Sequence, residues 1–170
     1  VWLVSVEGGE SRNLTRTFDQ DIGNKLSCDV RATSPDPNPQ WTSDAEHIYF
    51  TSTYGGASRL HRVPSRGGGV EHVLGDVNHS VEAWSMSGNG IVAYTVLEAG
   101  APVELWVKEG GEERQVTDFN KQWVKSLNIC GQERFEFRSS RGHDVEGWII
   151  RPPSLKEGSK CPMVLEIHGG

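Results

Sequence analysis

A repeat with an offset of 43 residues constrains this chain more than any other feature. Trp41-Thr42-Ser43-Asp44 recurs as Trp84-Ser85-Met86-Ser87, and Ile48-Tyr49-Phe50-Thr51 recurs as Ile91-Val92-Ala93-Tyr94. Gly67-Gly68 returns as Gly110-Gly111 and Val73-Leu74 as Val116-Thr117, at the same offset and without a gap. A partial copy comes earlier: Val4-Ser5-Val6-Glu7-Gly8-Gly9-Glu10, followed by Leu14-Thr15, matches the second half of the unit. Its glycine pair lies 59 residues before Gly67-Gly68, and the extra 16 residues fall between Thr15 and Trp41. The segment Arg16 to Gln40 carries Asp19, Asp21, Asn24, Asp29, Asp36, Asn38 and three prolines, and reads as a long excursion at one edge of the structure.

Each unit reads as short strands separated by glycine turns. Ile48 to Ser52 is β-branched and aromatic, Tyr54-Gly55-Gly56 punctuates it, Leu60 to Val63 alternates, and Gly67-Gly68-Gly69 precedes a further alternating run, Val70 to Leu74. This spacing predicts antiparallel β-structure, and no window holds a helical period of three turns. A unit of about 40–45 residues with four short strands is the pattern of a propeller blade. A blade cannot bury both faces alone, so at least three repeats are expected.

The details resemble the TolB-like blade over residues 1–117. Pro39-Gln40-Trp41-Thr42-Ser43-Asp44 leads into Ile48-Tyr49-Phe50-Thr51-Ser52, where that family has proline and tryptophan, then serine-proline-aspartate-glycine, then an apolar strand. Three departures stand out: Ala45 in place of the glycine, Thr42-Ser43 in place of serine-proline, and Ser87-Gly88 in place of aspartate-glycine. Trp41 and Trp84 are expected to be large rings packed between blades. His47, His61, His72 and His79 lack regular metal spacing and read as surface or packing histidines. Glu112-Glu113 reads as a solvated turn, with amine binding by the pair as the minority alternative.

After Thr117 the repeat stops, with Leu127 near the position where a further tryptophan would fall. Phe135 and Phe137 alternate with charged residues, Gly142 sits at a bend, and Val145-Glu146-Gly147-Trp148-Ile149-Ile150 runs into Pro152, which together predict a hairpin. Pro162-Met163-Val164-Leu165-Glu166-Ile167 is a short apolar run bounded by proline and glycine and reads as a buried strand, ending in His168-Gly169-Gly170. His-Gly-Gly after a buried strand matches the oxyanion-hole loop of α/β-hydrolases. Acyl transfer builds charge on a carbonyl oxygen that backbone N–H groups must approach to about 3 Å, which a side chain would obstruct.

This tail resembles the opening of the catalytic domain in the prolyl oligopeptidase family, most of all its acylaminoacyl-peptidase and dipeptidyl-peptidase-like branch. A propeller followed by this segment is that family's domain order. The resemblance implies that the Gly170 N–H donates to the oxyanion while Gly169 fixes the loop. It also implies that His168 is no general base, because the family's catalytic histidine comes last in its chain. His143-Asp144 reads as an exposed hairpin pair.

The expected fold is therefore mainly β: a partial β-propeller over residues 1–122, running into the start of an α/β-hydrolase domain over residues 123–170. Charge shifts at the same place, from net −7 over 1–122 to +1 over 123–170. No Gly-x-Ser-x-Gly occurs in the 170 residues, so no triad member is expected among them. The intact parent is expected to be a serine peptidase acting on short peptides, its propeller restricting access, with this piece inactive alone. The alternative is a TolB-like binding propeller without catalysis. An overall charge of −6 argues against nucleic acid. No stretch approaches the roughly 20 apolar residues that span a bilayer. Cys28, Cys130 and Cys161 are widely spaced, with no CxxC and no zinc-ligand cluster, which suggests reduced thiols and a cytoplasmic setting without metal or cofactor. The unpaired edges of an incomplete propeller favour self-association.

Overall fold

The structure, a computed structural model, describes residues 1–26 and 38–167, which fall into two compact units, Val1–Gln122 and Trp123–Gly170. The first unit opens with a small antiparallel hairpin of β1 (Trp2–Leu3) and β2 (Arg12–Asn13). A larger sheet follows. Strands β3 (Asp21–Ile22) and β4 (Gln40–Trp41) both pair with β5 (His47–Tyr54), which pairs in turn with β6 (Ala57–Pro64) and then β7 (Glu71–Leu74). A second meander runs through β8 (Ser80–Met86), β9 (Val92–Glu98), β10 (Ala101–Glu109) and β11 (Glu112–Gln115). All pairings are antiparallel, so the expectation of a mainly-β fold holds.

The glycine pairs explain why the strands turn where they do. Gly110 and Gly111, at φ 58° and 96°, form a two-residue link between the paired residues Glu109 and Glu112. Two consecutive positive φ angles suit the right-handed twist of a hairpin and are poorly tolerated by residues with a Cβ. The other turn of the repeat uses hydroxyls. The backbone N–H of His47 donates to Thr42 Oγ1 at 3.0 Å, and that of Ile91 donates to Ser87 Oγ at 3.0 Å. Thr42 and Ser87 therefore act as equivalents, although the 43-residue offset pairs Ser87 with Asp44. Ser43 joins the two turns by donating to the Gly88 carbonyl at 2.8 Å.

Strand β5 is buried on both faces because a sheet or hairpin lies on each side. Tyr49, with Leu60 and Leu74, packs against Val81, Trp84, Val92, Tyr94 and Val96 of the second sheet. Ile48, Phe50 and Val63 point the other way, toward Leu14, Leu3 and Phe18. Trp84 and Trp41 occupy equivalent inner-strand positions but differ in burial. Trp84 is 5% exposed, with its ring 6.2 Å from that of Tyr49. Trp41 is 48% exposed. It sits opposite Ile48 and so shares the face that looks toward β1 and β2, where two-residue strands offer little to cover an indole. The expectation of two rings equally packed between blades thus holds for Trp84 alone.

The segment between Thr15 and Trp41 is more than an edge excursion. Part of it returns to the sheet as β3, and Gly23 N–H donates to the Thr51 carbonyl at 2.8 Å. Cys28 and the acidic and proline positions from 29 to 37 lie outside the described residues.

A short helix, α1 (Lys121–Ser126), was not legible in the apolar periodicity. The second unit is built on the hairpin of β12 (Gln132–Arg138) and β13 (Asp144–Ile150), with Gly142 at φ 81° in its bend. The Phe135 ring lies directly over Gly147, its partner across the strands, where any Cβ would collide with it. Residues 161–167 depart from the expected buried strand. They form no strand, and Met163, Val164, Leu165 and Ile167 are exposed. A strand buried on both faces needs neighbours along its edges, and none of β1 to β13 pairs with this run.

Candidate functional site

Gly169 and Gly170, the expected oxyanion-hole glycines, lie outside the described residues, as does His168. The structure thus describes the approach to that loop, through Cys161 to Ile167, and the hairpin that precedes it in sequence. Ser139 and His143 close the β12–β13 turn: Ser139 N–H donates to the His143 carbonyl at 2.8 Å, and His143 N–H donates to Ser139 Oγ at 3.1 Å. This is turn chemistry. Ser139 stands on no strand-to-helix elbow, and His143 is exposed with no hydrogen bond from its ring to Ser139. Asp144 faces Arg138 at the mouth of the hairpin.

The period-2 alternation puts Glu133, Phe135 and Phe137 on one face with Val145, Gly147 and Ile149, and Gln132, Arg134 and Glu136 on the other with Glu146, Trp148 and Ile150. Phe135 and Phe137 stack on one face with ring centroids 6.2 Å apart, beside Val145 and Ile149. Arg134, on the other, pairs with Glu146 at 2.8 Å and Glu136 at 2.5 Å. Arg151 holds Glu133 through two bonds of 2.9 and 3.1 Å, which keeps that carboxyl below its ordinary pKa.

In the first unit, Glu112 and Glu113 part company. Glu113 accepts from the Tyr94 hydroxyl at 2.7 Å and from Lys108 Nζ at 2.9 Å, and Lys108 also reaches the Val73 carbonyl of the preceding sheet at 3.2 Å. Burial raises the Glu113 pKa, but the bonds from Lys108 and Tyr94 outweigh it and leave the carboxyl below its usual value. Burial, then the bond to Glu113, push the Tyr94 phenol upward. Glu112 and Glu113 are exposed beside the Gly110-Gly111 turn, as expected, and both Glu113 oxygens are engaged, which leaves no vacant amine site there. Two-residue sequence spacing could not show this, because Tyr94 lies two strands away. Glu104 has a similar role, accepting from Thr117 Oγ1 and from Asn120 N and Nδ2.

The histidines are dispersed. His79 rests on the Trp106 ring and pairs with Glu98 at 3.1 Å, His47 is half-buried, and His72 bonds the Gly75 carbonyl at 2.7 Å. His61 is buried between Phe18 and Phe50. Burial, with the nearby His72 and Arg59, lowers its pKa to about 4. Among the described residues no cluster of three metal-ligating side chains occurs, and Cys130 and Cys161 are free thiols. Two concavities are present in the first unit. One of about 730 Å³ lies against β1 and β2, lined by Trp2, Glu10, Arg12 and Arg16. One of about 240 Å³ lies between the Thr42–Asp44 and Ser87–Gly90 turns. No helix among the described residues is long and apolar enough to cross a membrane.

No protein-family model matches the chain. It is 26% identical to the uncharacterized peptidase YuxL of Bacillus subtilis (strain 168), over 99% of this chain and 26% of that protein. It is 22% identical to dipeptidyl-peptidase 5 of Porphyromonas gingivalis, over 99% of this chain and 25% of that protein. The chain therefore spans about a quarter of the length of the curated relatives it matches. Among solved structures, the Pyrococcus horikoshii acylaminoacyl peptidase superposes with a TM-score of 0.64 at 25% identity, covering 90% of this chain and 21% of that one. An acylaminoacyl peptidase bound to Z-Gly-Gly-Phe-chloromethyl ketone superposes with a TM-score of 0.65 at 26% identity, covering 91% and 21%.

Proposed function

We propose that this chain, which belongs to the prolyl oligopeptidase family of peptidases, is the stretch of a serine peptidase in which a β-propeller passes into an α/β-hydrolase domain. The observation that carries this reading is the coincidence of two likenesses along one chain. A five-strand and a four-strand antiparallel sheet lie within residues 1–122, a glycine-backed hairpin occupies 132–150, and peptidase relatives align with 99% of the whole.

The proposed reaction is hydrolysis of a short peptide through an acyl-enzyme. A serine outside these 170 residues attacks the scissile carbonyl, and negative charge collects on its oxygen. Gly170, held by Gly169, donates one backbone N–H to that oxygen, an interaction worth about 3–4 kcal/mol of barrier when a single such donor is removed. The propeller would limit access to short peptides. Nothing in residues 1–170 supplies the nucleophile motif, so the piece alone is expected to be inactive. The free thiols of Cys130 and Cys161 fit a reducing, cytoplasmic setting.

Assay of the intact parent against acylaminoacyl- and dipeptidyl-chromophore substrates tests this reading. Turnover of one class, abolished by a serine-directed inhibitor, supports it. No turnover of either class, with a folded protein, favours the non-catalytic propeller.

A further inference from the structure

We propose that Asn89 is a site of self-modification, where the backbone nitrogen of Gly90 displaces the side-chain amide and converts the asparagine to aspartate or isoaspartate. Asn89 is the one asparagine in the chain that is followed by glycine. The reaction requires the nitrogen of the next residue to reach the asparagine Cγ, and a Cβ on that residue stands in the way. Gly90 has φ 85° with open space around it, and both residues are exposed at the tip of the β8–β9 hairpin. Other asparagines lack these features. Asn24 is buried, Asn38 precedes Pro39, which has no N–H to give up, and the His79 N–H that follows Asn78 is held by Asp76 Oδ1 at 2.9 Å.

The step needs no co-reactant but water. The Gly90 nitrogen bonds to Asn89 Cγ, the bond from Cγ to Nδ2 breaks, and ammonia leaves with the proton that the Gly90 amide gives up. Water then opens the cyclic imide at either of its carbonyls, which yields aspartate or isoaspartate. Ser87 Oγ donates to Asn89 Oδ1, drawing electron density from Cγ and easing the attack. The Gly90 N–H donates to the Ser87 carbonyl at 3.0 Å, so this bond opens first. It lies at an exposed hairpin tip, where local opening costs far less than global unfolding.

The equivalent turn of the preceding sheet already carries an aspartate in this place. Thr42 Oγ1 donates to Asp44 Oδ1 at 2.6 Å, as Ser87 Oγ does to Asn89. The Ala45 N–H donates to the Thr42 carbonyl at 2.9 Å, as the Gly90 N–H does to Ser87. Aspartate at residue 89 therefore fits the turn with its hydroxyl bond intact. Isoaspartate does not, because it adds a carbon to the main chain between residues 89 and 90 and moves Gly90 out of register with Ser87. Either product brings a second carboxylate to the concavity that Asp44 and Asn89 both line.

The test is peptide mapping by mass spectrometry after the folded chain is held in mildly alkaline buffer, with Gly90→Ala and Asn89→Gln alongside. Alanine meets no neighbour at position 90, and glutamine keeps the amide while its extra methylene disfavours ring closure. A carboxyl methyltransferase specific for isoaspartate reads that product separately. In the wild type the peptide holding residue 89 is expected to gain the mass of an amide turned to an acid, and to accept methyl groups, before any other asparagine-containing peptide does. Both signals are expected to be lost in Gly90→Ala and in Asn89→Gln. No conversion at Asn89, or conversion at residue 89 that is unchanged in either folded variant, would overturn the site.

Discussion

Tyr94 on β9 donates its hydroxyl to Glu113 on β11 at 2.7 Å, reaching across the intervening strand β10. The bond ties the middle of the second sheet to its outer edge, and Lys108 extends it to the preceding sheet through the Val73 carbonyl. Tyr94 is 3% exposed, and removing its hydroxyl takes one donor from the partly exposed Glu113 carboxylate. Tyr94→Phe is expected to cost about 1–2 kcal/mol in urea unfolding. The signs of the two shifts fix the pH window. The Glu113 pKa is lowered on folding, so its contribution is complete above the unfolded carboxylate value and is lost as pH falls. The Tyr94 pKa is raised, so its contribution is complete below about pH 10 and declines as pH rises beyond that. Identical pH profiles for wild type and Tyr94→Phe would contradict the assignment.

Gly75 links the two sheets at φ 89°, and a Cβ placed there would lie 2.8 Å from the Ser58 carbonyl and 3.0 Å from Val81 Cγ2. Gly67 has nearly the same φ, 92°, with open space around it. Gly67→Ala should therefore cost only the left-handed backbone penalty, about 1 kcal/mol. Gly75→Ala adds a clash with main chain and should cost about 2–4 kcal/mol. Equal losses for the two variants would show that conformation alone, and not crowding between the sheets, fixes Gly75.

Ala45 is the only non-glycine residue with positive φ among the described residues, at 58°. It stands where the resembling blades carry glycine. Ala45→Gly relieves the left-handed strain of about 1–2 kcal/mol and gives back part of it in unfolded-state entropy. A net gain of about 0.5–1 kcal/mol in unfolding free energy is expected, and a loss would contradict it.

His61 supplies an acid-labile element. Its folded pKa of about 4 lies below the ordinary 6.5, so the unfolded chain takes up a proton first as pH falls. Stability is full above about pH 6.5 and drops progressively toward pH 4, by up to roughly 3 kcal/mol. Unfolding measured across this pH range should show this slope in the wild type and lose it in His61→Phe.

The strands and their turns were legible because glycine pairs and β-branched runs act locally, as at Gly110-Gly111 and Ile48 to Ser52. The burial of Trp41 was not, since it depends on how much sheet lies before β5 rather than on the sequence around the indole. The same holds for Met163 to Ile167, whose composition suits a buried strand but whose burial needs partners that none of β1 to β13 provides. The bond between Tyr94 and Glu113 was not legible because the two lie 19 residues apart in sequence. The site itself was legible only as a motif, with Gly169 and Gly170 beyond the described residues.

Labelling with an active-site-directed fluorophosphonate tests the central claim most directly. The account predicts that the intact parent is labelled at one serine lying outside these 170 residues, and that the 170-residue chain alone stays unlabelled. Labelling of any serine within residues 1–170, or a folded parent that takes up no label, would contradict it.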